Sequence, residues 1–135
     1  MRKKSDLYVI TKARDLMGYV LNVTIKSPKN LRFTYVNKIQ NMAIDALSLL
    51  VEANDIELSF DTLLERRTLQ NKARNKLKML GYLSFVGAEQ GAILLKQYEQ
   101  IALQIDECIA LLKTWIESDK KRLARNEQKQ SSMFD

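Results

Sequence analysis

Between Glu65 and Met79 the chain carries six basic residues and no acidic one: Arg66, Arg67, Lys72, Arg74, Lys76 and Lys78. Guanidinium and ammonium groups at this density bind anions, and nucleic-acid phosphate is the commonest polyanion that a basic protein surface meets. At 100° per residue, Arg67, Arg74 and Lys78 fall on one side of a helix, and Lys72 and Lys76 on another. They flank the apolar line Leu69, Ala73, Leu77. No acid stands four residues away to form ion pairs along the helix. Neutralising carboxylates would have to come from Asp45, Glu52 or another subunit.

Two further basic groups extend the candidate set. Lys29 and Arg32, with Lys26 before them and Lys38 after, surround Pro28. Cations there also suit a helix C-terminus, and Arg32 could stack on Phe33 or Tyr35. Lys120, Lys121 and Arg122, followed by Arg125 and Lys129, make a third group, partly offset by Asp119 and Glu127. Among the tyrosines, Tyr35 lies off its helix's main stripe and is the better candidate for stacking on a base.

Residues for catalysis are scarce. The chain has no His, which excludes His-based acid–base pairs. Cys108 is the lone cysteine and falls on an apolar stripe, where a thiol packs. No Cys/His spacing suits a metal, and no Gly-rich loop suits a cofactor phosphate. Asp106 and Glu107 are adjacent on a helix and point to different sides. We therefore expect no enzyme activity, no metal and no cofactor.

Length and composition bound the scaffold. A chain of 135 residues with one Pro and four Gly suits one domain of a few long helices. The net charge of +6 favours anionic partners. No stretch reaches the length of a membrane span, and the basic segment Met1 to Asp6 lacks the apolar run of a signal peptide. With a single Cys, a cytoplasmic location is expected.

Four helices must position the cations. The first is predicted from Ser5, as N-cap, to Ile25, with Val9, Ala13, Leu16, Val20 and Thr24 on its stripe. Ser27-Pro28 ends it. The second runs from Phe33 to Ala53, with Phe33, Val36, Ile39, Ala43, Ala46, Leu47 and Leu50 apolar. The third starts at a Ser59 cap, carries Leu69, Ala73, Leu77, Leu80 and Ser84, and ends near Gly91. Its Leu83, Phe85 and Val86 suggest a second covered side. The fourth runs from Leu94 to at least Ser118 on Tyr98, Ile101, Ile105, Cys108, Leu112 and Trp115. Asp119 to Lys129 reads as an exposed continuation. The expected fold is all-α, an antiparallel up-down-up-down four-helix bundle over 1–127, with a flexible tail over 128–135. In that tail, Gln130 to Phe134 is similar to the Gln-x-x-Leu-Phe peptides that dock on the bacterial sliding clamp.

The run Ser27-Pro28-Lys29-Asn30-Leu31-Arg32-Phe33, opening a helix that ends Leu50-Val51-Glu52-Ala53-Asn54, resembles the second helix of a family of small bacterial four-helix bundles. Gln97-Tyr98, Ile105-Asp106-Glu107, Leu112 and Trp115-Ile116 resemble that family's last helix. The family comprises the accessory variability determinants of diversity-generating retroelements and the proteins of 23S ribosomal RNA intervening sequences. The resemblance spans Leu7 to Ser118. Leu94 and Lys113-Thr114 replace the small polar cap and the Gly-Gly of many relatives. It implies a barrel-like homopentamer, RNA or DNA binding, and association with a reverse transcriptase whose template RNA is scaffolded. The alternatives are a ribosomal-insertion protein and a structural ring that binds only protein.

Overall fold

The computed structural model describes the backbone of residues 4–134 and the side chains of residues 8–129. Four α-helices carry the chain: α1 (Lys4–Thr24), α2 (Asn37–Asp55), α3 (Leu63–Glu89) and α4 (Leu95–Phe134). Among the described residues there is no strand. They form a four-helix bundle in which α1 packs on α2, α2 on α3, α3 on α4, and α4 on α1. Cross-helix contacts run in opposite sequence order. Lys76 meets Asp45 and Gly87 meets Ile39 between α3 and α2; Arg66 meets Asp119 and Phe85 meets Tyr98 between α3 and α4.

Every helix buries residues at steps of three or four, so each offers one stripe to a common core. On α2 these are Ile39, Ala43, Ala46, Leu50 and Ala53; on α3 they are Arg66, Gln70, Ala73, Leu77, Leu80, Ser84 and Gly87. At Gly87 an added Cβ would lie 3.1 Å from Ile39 Cδ1, a tight approach to which that side chain would have to yield. Large side chains, Leu16, Leu77, Leu80, Leu112 and Trp115, fill the space between the pairs.

The connections explain where helices stop. Pro28 holds extended backbone (φ −56°, ψ 140°) and a 3-10 turn follows over Lys29–Leu31. A π turn then spans Arg32–Val36, closed by the Asn37 N–H on the Arg32 carbonyl. Regular α geometry therefore begins at Asn37, one turn after the predicted start. The wider π turn advances fewer degrees per residue, so Phe33 and Val36 no longer share a face. Val36 is buried, whereas Phe33, expected on the apolar stripe, is 87% exposed.

Ser59 does not cap α3. Its backbone N–H and hydroxyl instead meet Thr62 Oγ1 at 3.2 and 2.8 Å in the preceding turn, and the helix starts at Leu63. At the other end Gly91 takes φ +83°, as its predicted role as a stop requires. The Ala92 N–H bonds the Gly87 carbonyl at 2.7 Å and the Gly91 N–H bonds that of Ala88 at 3.2 Å, which is a Schellman cap. Gln97 Oε1 then accepts the Leu94 N–H at 2.9 Å, half of a capping box whose hydroxyl half is missing at Leu94.

Ser27 Oγ donates to the Ala92 carbonyl at 2.6 Å and so fastens the α1–α2 and α3–α4 connections together at one end of the bundle. The α4 backbone stays helical through Phe134, where a flexible tail was expected from residue 128. The side chains of Ser5 and of Gln130 to Phe134, on which the N-cap and clamp-docking readings depend, lie outside the described residues.

Candidate nucleic-acid interface

Arg66, expected at the surface, is an interior residue at 3% exposure. Its position four before Gln70 and seven before Ala73 places it on the buried stripe of α3. There its Nε and Nη2 donate to Asp119 Oδ2 and Oδ1 at 2.8 and 3.0 Å. Its Nη1 donates to the carbonyl of Ile56 at 2.7 Å, just beyond the C-terminus of α2. Trp115 lies under the guanidinium, 5.1 Å from Cζ to the ring centroid. Arg66 is thus spent on folding and leaves the phosphate-binding set.

Asp119 is likewise no part of an exposed helix. It is wholly buried, and Leu123 one turn later is buried too. Gln70 Nε2 donates to Asp119 at 3.0 Å and Arg122 Nη2 at 2.6 Å, so the carboxylate accepts bonds from three side chains. Burial alone would raise the Asp119 carboxyl; hydrogen bonds from Arg66, Arg122 and Gln70 outweigh it and hold the group below the usual carboxylate range. Arg122, assigned to phosphate contact from sequence, is therefore committed in part to this cluster. Sequence reasoning missed Asp119 and Gln70. The available signal was spacing: Asp119 stands four after Trp115 and four before Leu123.

The remaining cations of α3 form two lines. Lys78 lies beside α4, lining a groove with Tyr82, Phe85, Tyr98 and Ile105. Arg67 and Arg74 precede it by eleven and four residues, on the same side of the helix. Lys72 and Lys76 lie toward α2. Lys76 Nζ is 3.7 Å from Asp45, one of the acids anticipated as a partner. Both ends of that pair are substantially exposed, so it contributes little and Lys76 stays reachable. Among the described residues no carboxylate lies within ion-pair distance of Arg67, Lys72, Arg74 or Lys78. Arg67 Nε and Nη2 and Arg74 Nε are also covered without a protein acceptor.

The other two groups occupy opposite ends of the bundle. Lys29, Arg32 and Lys38 are exposed around the α1–α2 connection. Arg32 Nη2 reaches the Ile25 carbonyl at 3.4 Å, the helix-terminal role weighed for it above. Lys120 and Lys121 are exposed on α4, and Arg122, Arg125 and Lys129 line a shallow cavity of about 380 Å³ with Glu57 and Leu58. Tyr35 is half-buried and packs against the core, which leaves less of its ring for stacking than an exposed aromatic has.

The groove between α3 and α4 is the larger apolar feature, about 640 Å³. Tyr82 is 74% exposed in it, and Phe85 meets Tyr98 edge-on at 5.3 Å. Of the side expected to be covered, Leu83 packs on the core while Phe85 remains open to solvent. Cys108 is buried, and burial, with a smaller push from Glu107, raises its thiol to about 12. It is therefore protonated at neutral pH and a poor nucleophile. Among the described residues no cluster of His, Cys, Asp and Glu could hold a metal, and no helix is long and apolar enough to cross a membrane. No protein-family model matches the chain, and no curated protein is significantly similar to it.

Proposed function

We propose that this chain is a non-catalytic, nucleic-acid-binding scaffold of the retroelement accessory type, holding template RNA and a reverse transcriptase together in the cytoplasm. The observation that carries the reading is the line Arg67, Arg74 and Lys78, with Lys72 beside it, which no carboxylate of the described residues neutralises. The exposed ammonium groups of Lys72 and Lys78, and those guanidinium nitrogens of the half-buried Arg67 and Arg74 that are not covered, gain from phosphate oxygens. The contact would be sequence-tolerant and salt-dependent. A homo-oligomer, a pentamer by the resemblance, would repeat the line and add weak contacts by multivalency. The open Tyr82–Phe85 groove supplies apolar surface for such assembly.

Binding of labelled RNA and DNA across a salt titration tests the reading. The triple variant Arg67→Glu/Arg74→Glu/Lys78→Glu is expected to lose binding at every salt concentration while keeping its helical circular dichroism. Undiminished binding by that variant would overturn the assignment of the line.

The same groove favours a second reading, a structural ring whose partner is protein alone, as a ribosomal-insertion protein could also be. Under it, the wild-type chain binds no nucleic acid even at low salt. Neighbouring open reading frames separate the retroelement and ribosomal-insertion settings.

A further inference from the structure

Beside the 3-10 and π turns lies a cleft of about 280 Å³. One wall is the ring of Phe33, 87% exposed and swung off the buried stripe by the π turn. Val36 supplies a buried apolar floor, and the exposed Ile25 an apolar flank. Asn37 and Gln40, one turn apart on α2, bring two amide side chains to the same cleft. Gln40 is anchored, because its Nε2 donates to Thr24 Oγ1 at 2.9 Å, and that hydroxyl is itself held on the Val20 carbonyl at 2.7 Å. Arg32 completes the rim. Its Nη2 makes only the long bond to Ile25, which leaves other N–H groups for a ligand.

The surrounding charge is one-sided. No acidic residue occurs between Asp15 and Asp45, while Lys26, Lys29, Arg32 and Lys38 all fall in that interval. An aromatic face, two amides that both donate and accept, and a guanidinium on a cationic rim match one ligand chemistry. That ligand is a flat heterocycle with polar edges, attached to an anion. Amides pair with base edges, and aromatic faces stack on bases that have left a helix. A base inside a duplex presents neither its face nor its pairing edge to such a cleft.

We infer that the cleft holds one unstacked base of a single-stranded nucleic acid. The base lies on Phe33, its edge faces Asn37 and Gln40, and its phosphate meets Arg32 and Lys29. The inference rests on the nucleic-acid-binding reading and sharpens it: α3 supplies sequence-blind phosphate contact, and the α1–α2 junction distinguishes single strands from duplexes.

The test compares a single-stranded oligonucleotide, its abasic counterpart and a duplex of equal length, at one fixed salt concentration. Phe33→Ala is expected to weaken the single strand about tenfold, within the range that base stacking on an aromatic spans, and to leave the duplex unchanged. Phe33→Trp should retain the wild-type affinity. An oligonucleotide carrying 2-aminopurine should change fluorescence on wild type and not on Phe33→Ala. Equal loss of abasic and normal strands in Phe33→Ala would overturn the base contact. So would undiminished single-strand binding by Phe33→Ala when the α3 triple variant has lost it; in that case phosphate binding stands and the cleft alone fails. Failure of wild type to bind any of the three probes at low salt would overturn both.

Discussion

Arg66 Nε and Asp119 Oδ2 stand 2.8 Å apart across 53 residues of sequence, both in the interior. Through them the end of α2, the first turn of α3 and the middle of α4 meet at one point. A buried ion pair gains little over an apolar substitute, but a buried charge stripped of its partner is costly.

Arg66→Ala and Asp119→Ala should therefore each lower stability by about 3–5 kcal/mol. Urea denaturation followed by circular dichroism measures both. The double variant Arg66→Met/Asp119→Leu should lose less than the sum, since it removes the fully buried guanidinium together with its carboxylate and leaves only Gln70 and the partly exposed Arg122 to find other partners. Additive losses would show that the two side chains act independently.

The same pair carries a pH signature. The Asp119 carboxyl is depressed in the folded state, so its contribution to stability is present above the unfolded carboxylate pKa of about 3.9 and is lost as pH falls through its own lower value. The stability difference between wild type and Asp119→Asn should be largest near neutrality and shrink in acid. Chemical denaturation at pH 7, 4 and 2.5 checks the trend; a difference that grows toward low pH would reverse the sign assigned here.

Two glycines should respond in opposite directions. A Cβ at Gly18 meets nothing within 4 Å, so Gly18→Ala should stabilise α1 by up to about 1 kcal/mol through helix propensity. Gly87 faces Ile39 Cδ1, and Gly87→Val should cost about 1–3 kcal/mol by overpacking. Thermal melts of the two variants provide the comparison.

Single substitutions along the basic line should act on the salt dependence. Lys72→Ala, Arg74→Ala and Lys78→Ala should each reduce the slope of log K against log salt by about 0.7 for a single strand, if each side chain contacts one phosphate. Arg66→Lys should leave that slope unchanged, because Arg66 is inside. A reduced slope in Arg66→Lys would place its side chain at the interface after all.

The four helices were legible because their apolar residues repeat without interruption: Val9 to Val20, Ile39 to Leu50, Ala73 to Leu80 and Ile101 to Trp115. Gly91 announced its turn by type alone. The buried cluster was not legible, since Arg66, Gln70 and Asp119 occupy stripe positions with polar side chains and so look like surface. Which acid meets which base depends on how two stripes align, and no single stripe contains that information. The exposure of Phe33 was hidden for another reason. It follows from a wider turn over Arg32–Val36, and such a turn has no periodic signature in sequence. Of the proposed interface, the cations were visible as a cluster, but their division into buried Arg66, half-buried Arg67 and Arg74, and exposed Lys72 and Lys78 was not.

The charged rivet also fixes alignment. On α4 the buried positions Ile105, Leu112 and Asp119 recur every seven residues, so a slide by one heptad would exchange greasy neighbours at small cost. Such a slide would set Leu112 opposite Arg66 and strand a guanidinium in oil. The registration of the longest rod against α3 is thereby pinned, and with it the position of the α3 cations relative to α4.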